Sequence, residues 1–303
     1  PRPSLRSDRW RANSLSTDVS PMIEILSLGS GLSLQDAGRS GWRRFGVPSG
    51  GAMDRRSMAL ANTLLGNSTQ APVLEIARLG AQVRVLSDAW IALAGADFCS
   101  LFKAGTARLV LAGEVLVFDQ RAAGLYAYLA VPGGFRAEHW LGSASTDLRN
   151  GMGCALRRGD RLESLRATPN ITTEGVARRV AIEPTDQICE NRAHFELYRG
   201  TQYEAFSAAT REKFVRSEWT ISKRSDRTGY RLEGDSLAVP ASIPSEPVLP
   251  GSVQVPGNGQ PIITMRDGPT VGGYAKIAFL KADDLDRMAQ CAPGSLLSFS
   301  WLD

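Results

Sequence analysis

The residues best equipped for chemistry crowd into Gly251–Ile277, GSVQVPGNGQPIITMRDGPTVGGYAKI. Ten consecutive residues there hold an acid (Asp267), a hydroxyl (Thr270), two adjacent glycines (Gly272, Gly273), a phenol (Tyr274) and an ammonium (Lys276). Adjacent glycines let a backbone take positive φ and approach a ligand that a side chain would block. The alternative is a tight turn whose polar groups are solvated. Just before this loop, Val253–Val255 and Ile262–Met265 flank Pro256, Gly257 and Gly259, which reads as a β-hairpin carrying Gln254 and Gln260. Gln254 alternates with Val253 and Val255, so it is expected on the opposite face.

Two further polar loops have related composition. QDAGRSGWRRFGVPSGGAMD (Gln35–Asp54) has five glycines, and ordering so many costs backbone entropy that something must offset. Asp36, Arg39 and Asp54 are the candidates, through ion pairs with one another or contacts to a ligand. SDRTGYRLEG (Ser225–Gly234) gathers Asp226, Arg227 and Tyr230 around a glycine. Asp226 and Arg227 can pair with each other or serve a site. A third Gly-bounded loop, LGSASTDLRNGMG (Leu141–Gly153), reads as scaffolding at Thr146–Asp147.

The elements that must position these loops are short and mostly β. Ile23–Leu28, Leu74–Ala77, Gln82–Leu86, Trp90–Ala94, Ala107–Leu111, Val115–Phe118 and Leu125–Val131 follow at intervals of a sandwich or barrel, with Arg161–Leu165 after them. Later strands are expected at Ala177–Ile182, His194–Tyr198, Trp219–Ser222 and Leu296–Trp301. Helices are expected at Arg55–Leu65, with Asp54 as N-cap, at Ser207–Val215, and at Asp283–Cys291. Ser236–Pro250, with four prolines, reads as an extended connection and not an element.

A chain of 303 residues favours two domains over one core. Ala167–Gly175 is the linker candidate, which divides the chain into a disordered extension 1–21, an N-terminal domain 22–175 and a C-terminal domain 176–303. The net charge of +4 is dispersed, which excludes a nucleic-acid stripe, and no apolar run reaches the length of a membrane helix. Four distant cysteines and two histidines give no metal-ligand spacing and no disulfide framework, so a reduced, cytoplasmic protein without a metal site is expected.

In order and spacing, QDAGRSGWRRFGVPSGGAMD, LGSASTDLRNG, SDRTGYRLEG and GSVQVPGNGQPI…TVGGYAKI resemble the biotin-dependent carboxyltransferase-type family, with Ala275 where its pattern has Pro. That family includes the C subunit of 5-oxoprolinase, KipA and the allophanate hydrolase subunit 2 module of urea amidolyase. The resemblance runs from about Met22 to Asp303. It implies a mainly β fold of cyclophilin-like barrel domains with a few short helices. It also implies two partner proteins, one KipI-like and one LamB/YcsF-like. The implied reaction opens 5-oxo-L-proline to L-glutamate with ATP hydrolysis. Its alternatives are a KipA-type regulator that binds a KipI-like inhibitor, and carboxyl transfer to urea from carboxybiotin presented in trans.

Opening a lactam requires donors for developing negative charge and a carboxylate to handle protons. Under the resemblance, Asp36, Asp226 and Asp267 are the candidate bases, and Arg39, Arg227 and Lys276 the candidate cations. Gly272 and Gly273 with Thr270 form a candidate anion-binding nest. Asp54, Tyr230, Tyr274, Gln254 and Gln260 are candidates for orienting a small polar substrate. The chain has no GxxxxGK[ST] motif, so ATP is expected on a partner protein.

Overall fold

The computed structural model describes residues 21–120, 124–166, 178–179 and 191–302. The expected extension 1–21 (apart from Pro21) and the linker Ala167–Gly175 fall outside them. So does the strand expected at Ala177–Ile182, except for Arg178–Arg179.

The first half of the chain builds β1 (Pro21–Leu28), β2 (Leu32–Gln35), α1 (Arg55–Leu64), β3 (Val73–Ala77), β4 (Ala81–Val85) and β5 (Ala89–Gly95). It continues with β6 (Thr106–Val110), β7 (Val115–Phe118), β8 (Tyr126–Ala130), β9 (Arg161–Glu163) and β10 (Arg178–Arg179). Two sheets result, in the orders β7-β4-β1-β9 and β10-β6-β5-β8-β3-β2. Because β10 pairs with β6, the chain is still joined to this sheet after residue 175.

The second half builds β11 (Arg192–Arg199), α2 (Ala208–Arg216), β12 (Trp219–Ile221), β13 (Gly229–Glu233), β14 (Glu246–Pro247) and β15 (Ser252–Val255). After these come β16 (Ile262–Thr264), β17 (Val271–Gly272), β18 (Ala275–Leu280), α3 (Asp284–Ala289) and β19 (Leu296–Trp301). Seven of these strands close a barrel in the order β11-β18-β15-β16-β13-β12-β19, and parallel pairing of β11 with β19 shuts it. The expected hairpin is the antiparallel pair of β15 and β16. Ser236–Pro250 is not wholly a connection: Glu246–Pro247 pairs with Val271–Gly272, which short edge strands permit even with a proline.

Side-chain alternation decides how the layers stack. Along β8, Ala127 and Leu129 join the core between the two sheets, while Tyr126, Tyr128 and Ala130 join the core shared with α1 and the barrel. Strand β5 divides the same way, with Ile91 and Leu93 on one side and Ala92 and Ala94 on the other. A sheet covered on both faces needs apolar residues at every position, hence the unbroken apolar runs. The small alanines of β5 let α1 lie close to the sheet. On β3, Leu74 and Ile76 face the inter-sheet core, so Glu75 points the other way, toward the barrel.

Asp54 caps α1 by accepting the Ser57 backbone N–H at 2.9 Å, and it also accepts the Ser57 hydroxyl at 2.6 Å. It is buried, and its other donor comes from the barrel half, where Gln290 Nε2 lies 2.8 Å away. Gln290 in turn accepts the N–H groups of Leu125 and Tyr126 at 2.9 and 3.0 Å, so one side chain joins α3 to both α1 and β8. Burial pushes the Asp54 carboxyl above its ordinary pKa, reinforced by Asp286 and opposed by the bonds from Gln290 and Ser57. Replacing Asp54 with Ala removes the cap and strands the Gln290 amide. A loss of about 2–4 kcal/mol in urea unfolding is expected, while Asp54→Asn, which keeps an acceptor, loses less than half of that.

A candidate site at the seam between the two lobes

The Gly-rich stretch 35–54 is held by packing against the loop 141–153. Asp36 is buried, and its carboxylate is fully engaged: Oδ1 accepts the Gly38 N–H and the hydroxyls of Ser143 and Ser145, and Oδ2 accepts the Ala144 N–H, all between 2.5 and 2.7 Å. Arg39 forms no ion pair with Asp36. Its Nη2 donates to the Ser145 carbonyl and its Nε to that of Trp140. Nη1 is buried and has no hydrogen-bond partner among the described residues. Burial lowers the Arg39 pKa against the opposing pull of Asp36, Asp147 and Asp267. Glycine is required where this loop folds on itself: at Gly38 (φ +83°) a Cβ would sit 2.5 Å from the Ser49 carbonyl. At Gly50 (φ +60°) it would meet Arg39 Nη1 at 2.9 Å.

Arg227 is the main tie between the lobes. From the barrel side it makes two bonds to Asp267, Nε–Oδ2 at 2.6 Å and Nη2–Oδ1 at 3.0 Å. Across the seam it donates to Glu75 at 2.5 Å, to the Gly51 carbonyl at 2.7 Å and to Gln35 at 3.4 Å. Glu75 is itself held by the Met53 N–H and the Tyr128 hydroxyl, and Tyr128 accepts the Asp54 N–H. Burial opposes the charge on Arg227, but Glu75 and Asp267 outweigh it and keep the guanidinium pKa above its usual value. On Asp267 burial prevails, raising the carboxyl above the ordinary range despite Arg227. A second ion pair, Arg266 with Asp286 at 2.6 Å, lies nearby, and Asp286 also accepts the Arg55 N–H. Burial, together with neighbouring Arg266, lowers the Arg55 pKa to about 10 against Asp286 and Asp36.

These contacts frame a pocket of about 280 Å3. Gln35, Thr146, Asp147 and Arg149 line it from the N-terminal lobe, and Asp226, Arg227, Thr228 and Asp267 from the barrel lobe. Three polar loops and the start of the Asp267 loop therefore converge there. Asp147 caps the turn at Asn150, as scaffolding would, and also faces the pocket. Arg149 is exposed at the rim and makes only a 3.4 Å bond to Thr228. Asp226 does not pair with Arg227; it caps its own turn at the Thr228 and Gly229 N–H groups.

Other expected residues lie elsewhere. Lys276 is buried and paired with Glu246, which also accepts Gln202 at 2.9 Å; these bonds hold the Glu246 carboxyl below its usual range. Gln254 faces away from Val253 and Val255, as expected: those two valines join the core, while Gln254 is covered on the other face by Gly272 and donates to Thr264 at 2.9 Å. Gln260 clamps both backbone groups of Gly234. Tyr230 is buried in the barrel and donates to the Ala289 carbonyl. Tyr274 is half exposed, and the Thr270 carbonyl accepts the Val248 N–H.

The expected nest is corrected. Neither Gly272 nor Gly273 has positive φ. Gly272 pairs with Glu246 in β17, and a Cβ there would press on Gln254 and Val248 at 3.1 Å, so close packing explains the glycine. This loop is nonetheless bound to the N-terminal lobe, because Arg43 donates to the carbonyls of Val248 and Pro269. Sequence reasoning missed Glu75, which stands alone in an apolar strand and is tied to the site only across the seam. It also missed Gln35 and Arg149, both of which lay in loops already singled out.

A mainly β protein of two lobes, with a polar pocket at their seam, is the class that this fold and site define. The description "Carboxyltransferase domain, subdomain A and B" matches residues 45–301, and the chain belongs to this family. It is 36% identical over 289 residues to the C subunit of the Haemophilus influenzae 5-oxoprolinase, covering 92% of this chain and 90% of that protein. The crystal structure of TTHA0988 superposes with a TM-score of 0.84 at 31% identity, over 94% of this chain and 56% of that one. The Kluyveromyces lactis urea amidolyase structure superposes with a TM-score of 0.80 at 27% identity, over 95% of this chain. The chain spans just over half of the first of these solved chains and 19% of the second. Among the described residues no helix is long and apolar enough to cross a membrane.

Replacing Arg227 with Met leaves Glu75 and Asp267 buried without their cation. Urea unfolding is expected to show a loss of about 3–5 kcal/mol, and Arg227→Lys, which cannot reproduce the bidentate pair, recovers less than half.

Proposed function

We propose that this chain is the C subunit of an ATP-dependent 5-oxoprolinase that opens 5-oxo-L-proline to L-glutamate in the cytoplasm. The observation that carries the reading is the 36% identity to the C subunit of a 5-oxoprolinase over nine-tenths of both chains. The seam pocket supports it, being of a size for a small cyclic amide and lined by paired donors and acceptors. Arg149, free at the rim apart from one long bond, is suited to the substrate carboxylate. Gln35 and Thr146 are suited to the lactam's N–H and carbonyl. Asp267, whose carboxyl is raised by burial, is the base we assign to deprotonating the attacking water, with Arg227 holding it in place. When the ring C–N bond breaks, the leaving nitrogen takes up the proton that Asp267 removed from the water.

ATP supplies the driving force by activating the amide oxygen. We assign its site to a partner protein, because three carboxylates (Asp147, Asp226, Asp267) against two guanidiniums (Arg149, Arg227) make this pocket a poor host for a polyphosphate. The partners proposed are the KipI-like and LamB/YcsF-like proteins. A second reading, carboxyl transfer to a small amide from carboxybiotin brought in trans, draws support from the superposition on urea amidolyase. The same pocket would serve it.

The test is 5-oxoproline-dependent phosphate release by the purified chain combined with its neighbours. Leaving this chain out should abolish turnover; unchanged turnover overturns the reading. Asp267→Asn is expected to lower kcat by about 10²–10⁴-fold. A base must be ionised to act, so in the unsubstituted protein the rate should climb as pH rises through a pKa above the usual carboxylate range. That limb should vanish in the variant.

A further inference from the structure

A second cavity, of about 190 Å3, opens at the same seam. The ladder of β2 and β3 separates the two: Ser33 and Gln35 face the first pocket, whereas Ser30, Ala77 and Arg78, at the ladder's other end, line the second. The barrel segment 223–228 passes between them, giving Lys223 and Ser225 to the second cavity and Asp226–Thr228 to the first. Leu125, Tyr126, Tyr230 and Pro293 complete its wall, and the two phenols interact with each other there.

The lining is electrostatically one-sided. Arg78 comes from one lobe and Lys223 from the other, both exposed, and no carboxylate lines the cavity among the described residues. Neither the Arg78 guanidinium nor the Lys223 ammonium has a partner among the described residues. The Ser30 and Ser225 hydroxyls donate only over 3.4 and 3.5 Å, to the Leu79 and Arg231 carbonyls, so both protons remain available. Arg78 also sits at φ 62°, in a region that L side chains rarely adopt, and nothing its side chain does inside the protein offsets that strain.

We propose that this cavity binds a small oxyanion, a carboxylate or a phosphate group, gripped between Arg78 and Lys223 and accepting hydrogen bonds from Ser30 and Ser225. Empty, the site sets two like charges on opposite lobes across a crevice; filled, the anion neutralises both and bridges the lobes. A ligand that contacts both lobes stabilises the closed seam by mass action. The proposal is independent of what the neighbouring pocket binds.

The test is thermal melting of the full chain in rising inorganic phosphate and, separately, succinate, each against sodium chloride of equal ionic strength. One of the two is expected to raise Tm above its chloride control, by roughly 2 °C at tenfold excess over its Kd and thereafter with the logarithm of its concentration. A rise with phosphate alone assigns a phosphoryl source, and with succinate alone a carboxylate source. The shift should disappear in Arg78→Gly, which fits the positive φ, and in Lys223→Gln. It should persist in Lys223→Arg and in Arg84→Ala, whose native partner is Glu24 on the outer sheet. If neither anion exceeds the chloride control, or if the shift survives in the Arg78→Gly/Lys223→Gln double variant, the proposal is overturned.

Discussion

The fold depends on the way the Arg227 charge is satisfied across the seam. A guanidinium has five N–H donors in one plane, and here they reach Asp267 on its own lobe and Glu75, Gly51 and Gln35 on the other. Each carboxylate would be costly to bury alone, and each is tolerated only in this shared geometry. The two lobes are therefore not independent bodies resting against each other. Their faces carry complementary charges, the Arg227 cation beside Asp267 on one and Glu75 on the other, and Glu75 is neutralised only when the lobes meet, which fixes one relative arrangement.

Around that tie the polar seam is laid over a continuous apolar one. Helix α1, the seam face of the six-stranded sheet and the barrel interior form one buried cluster, so the lobes share a core as well as a hydrogen-bond network. Gln290 shows how the two are combined. It enters from the end of α3, satisfies the N–H groups at the start of β8, and still reaches the cap of α1. Apolar burial supplies the affinity between lobes, and buried polar groups of this kind supply the register, because a shifted arrangement would leave them unpaired.

The same logic sets the character of the pocket. Asp36 is walled in by four donors and holds the Ser143–Ser145 turn in place. Asp147, Asp267 and Arg227 consequently face a common space from rigid backbone. Low solvent access raises the carboxyl of Asp267 without neutralising Arg227, so an acid poised above its usual range stands beside a permanent cation. Lys276 belongs to a separate ion pair with Glu246, some way along the barrel wall from the lining residues.

Much of the secondary structure was legible in the sequence, because its causes are local. The β15–β16 hairpin follows from apolar runs around Pro256 and Gly259, the Asp54 and Ser207 caps from residue type and position, and β7 and β19 from short apolar runs bounded by turns. The family was legible too, in four stretches of loop. Partnership was not. Asp36 with Arg39 and Asp226 with Arg227 are close in sequence and opposite in charge, yet each acid bonds within its own turn or to Ser143 and Ser145, and each arginine bonds to groups brought in by the fold. Glu75 carried no signal, since its place opposite Arg227, 152 residues away, is set by which face of β3 meets the barrel. Sequence determines what a short segment prefers, because those preferences act over a few residues. Which charge neutralises which was decided only when two sheets, a helix and a barrel closed on one another, since burial and pairing are properties of the assembled interior.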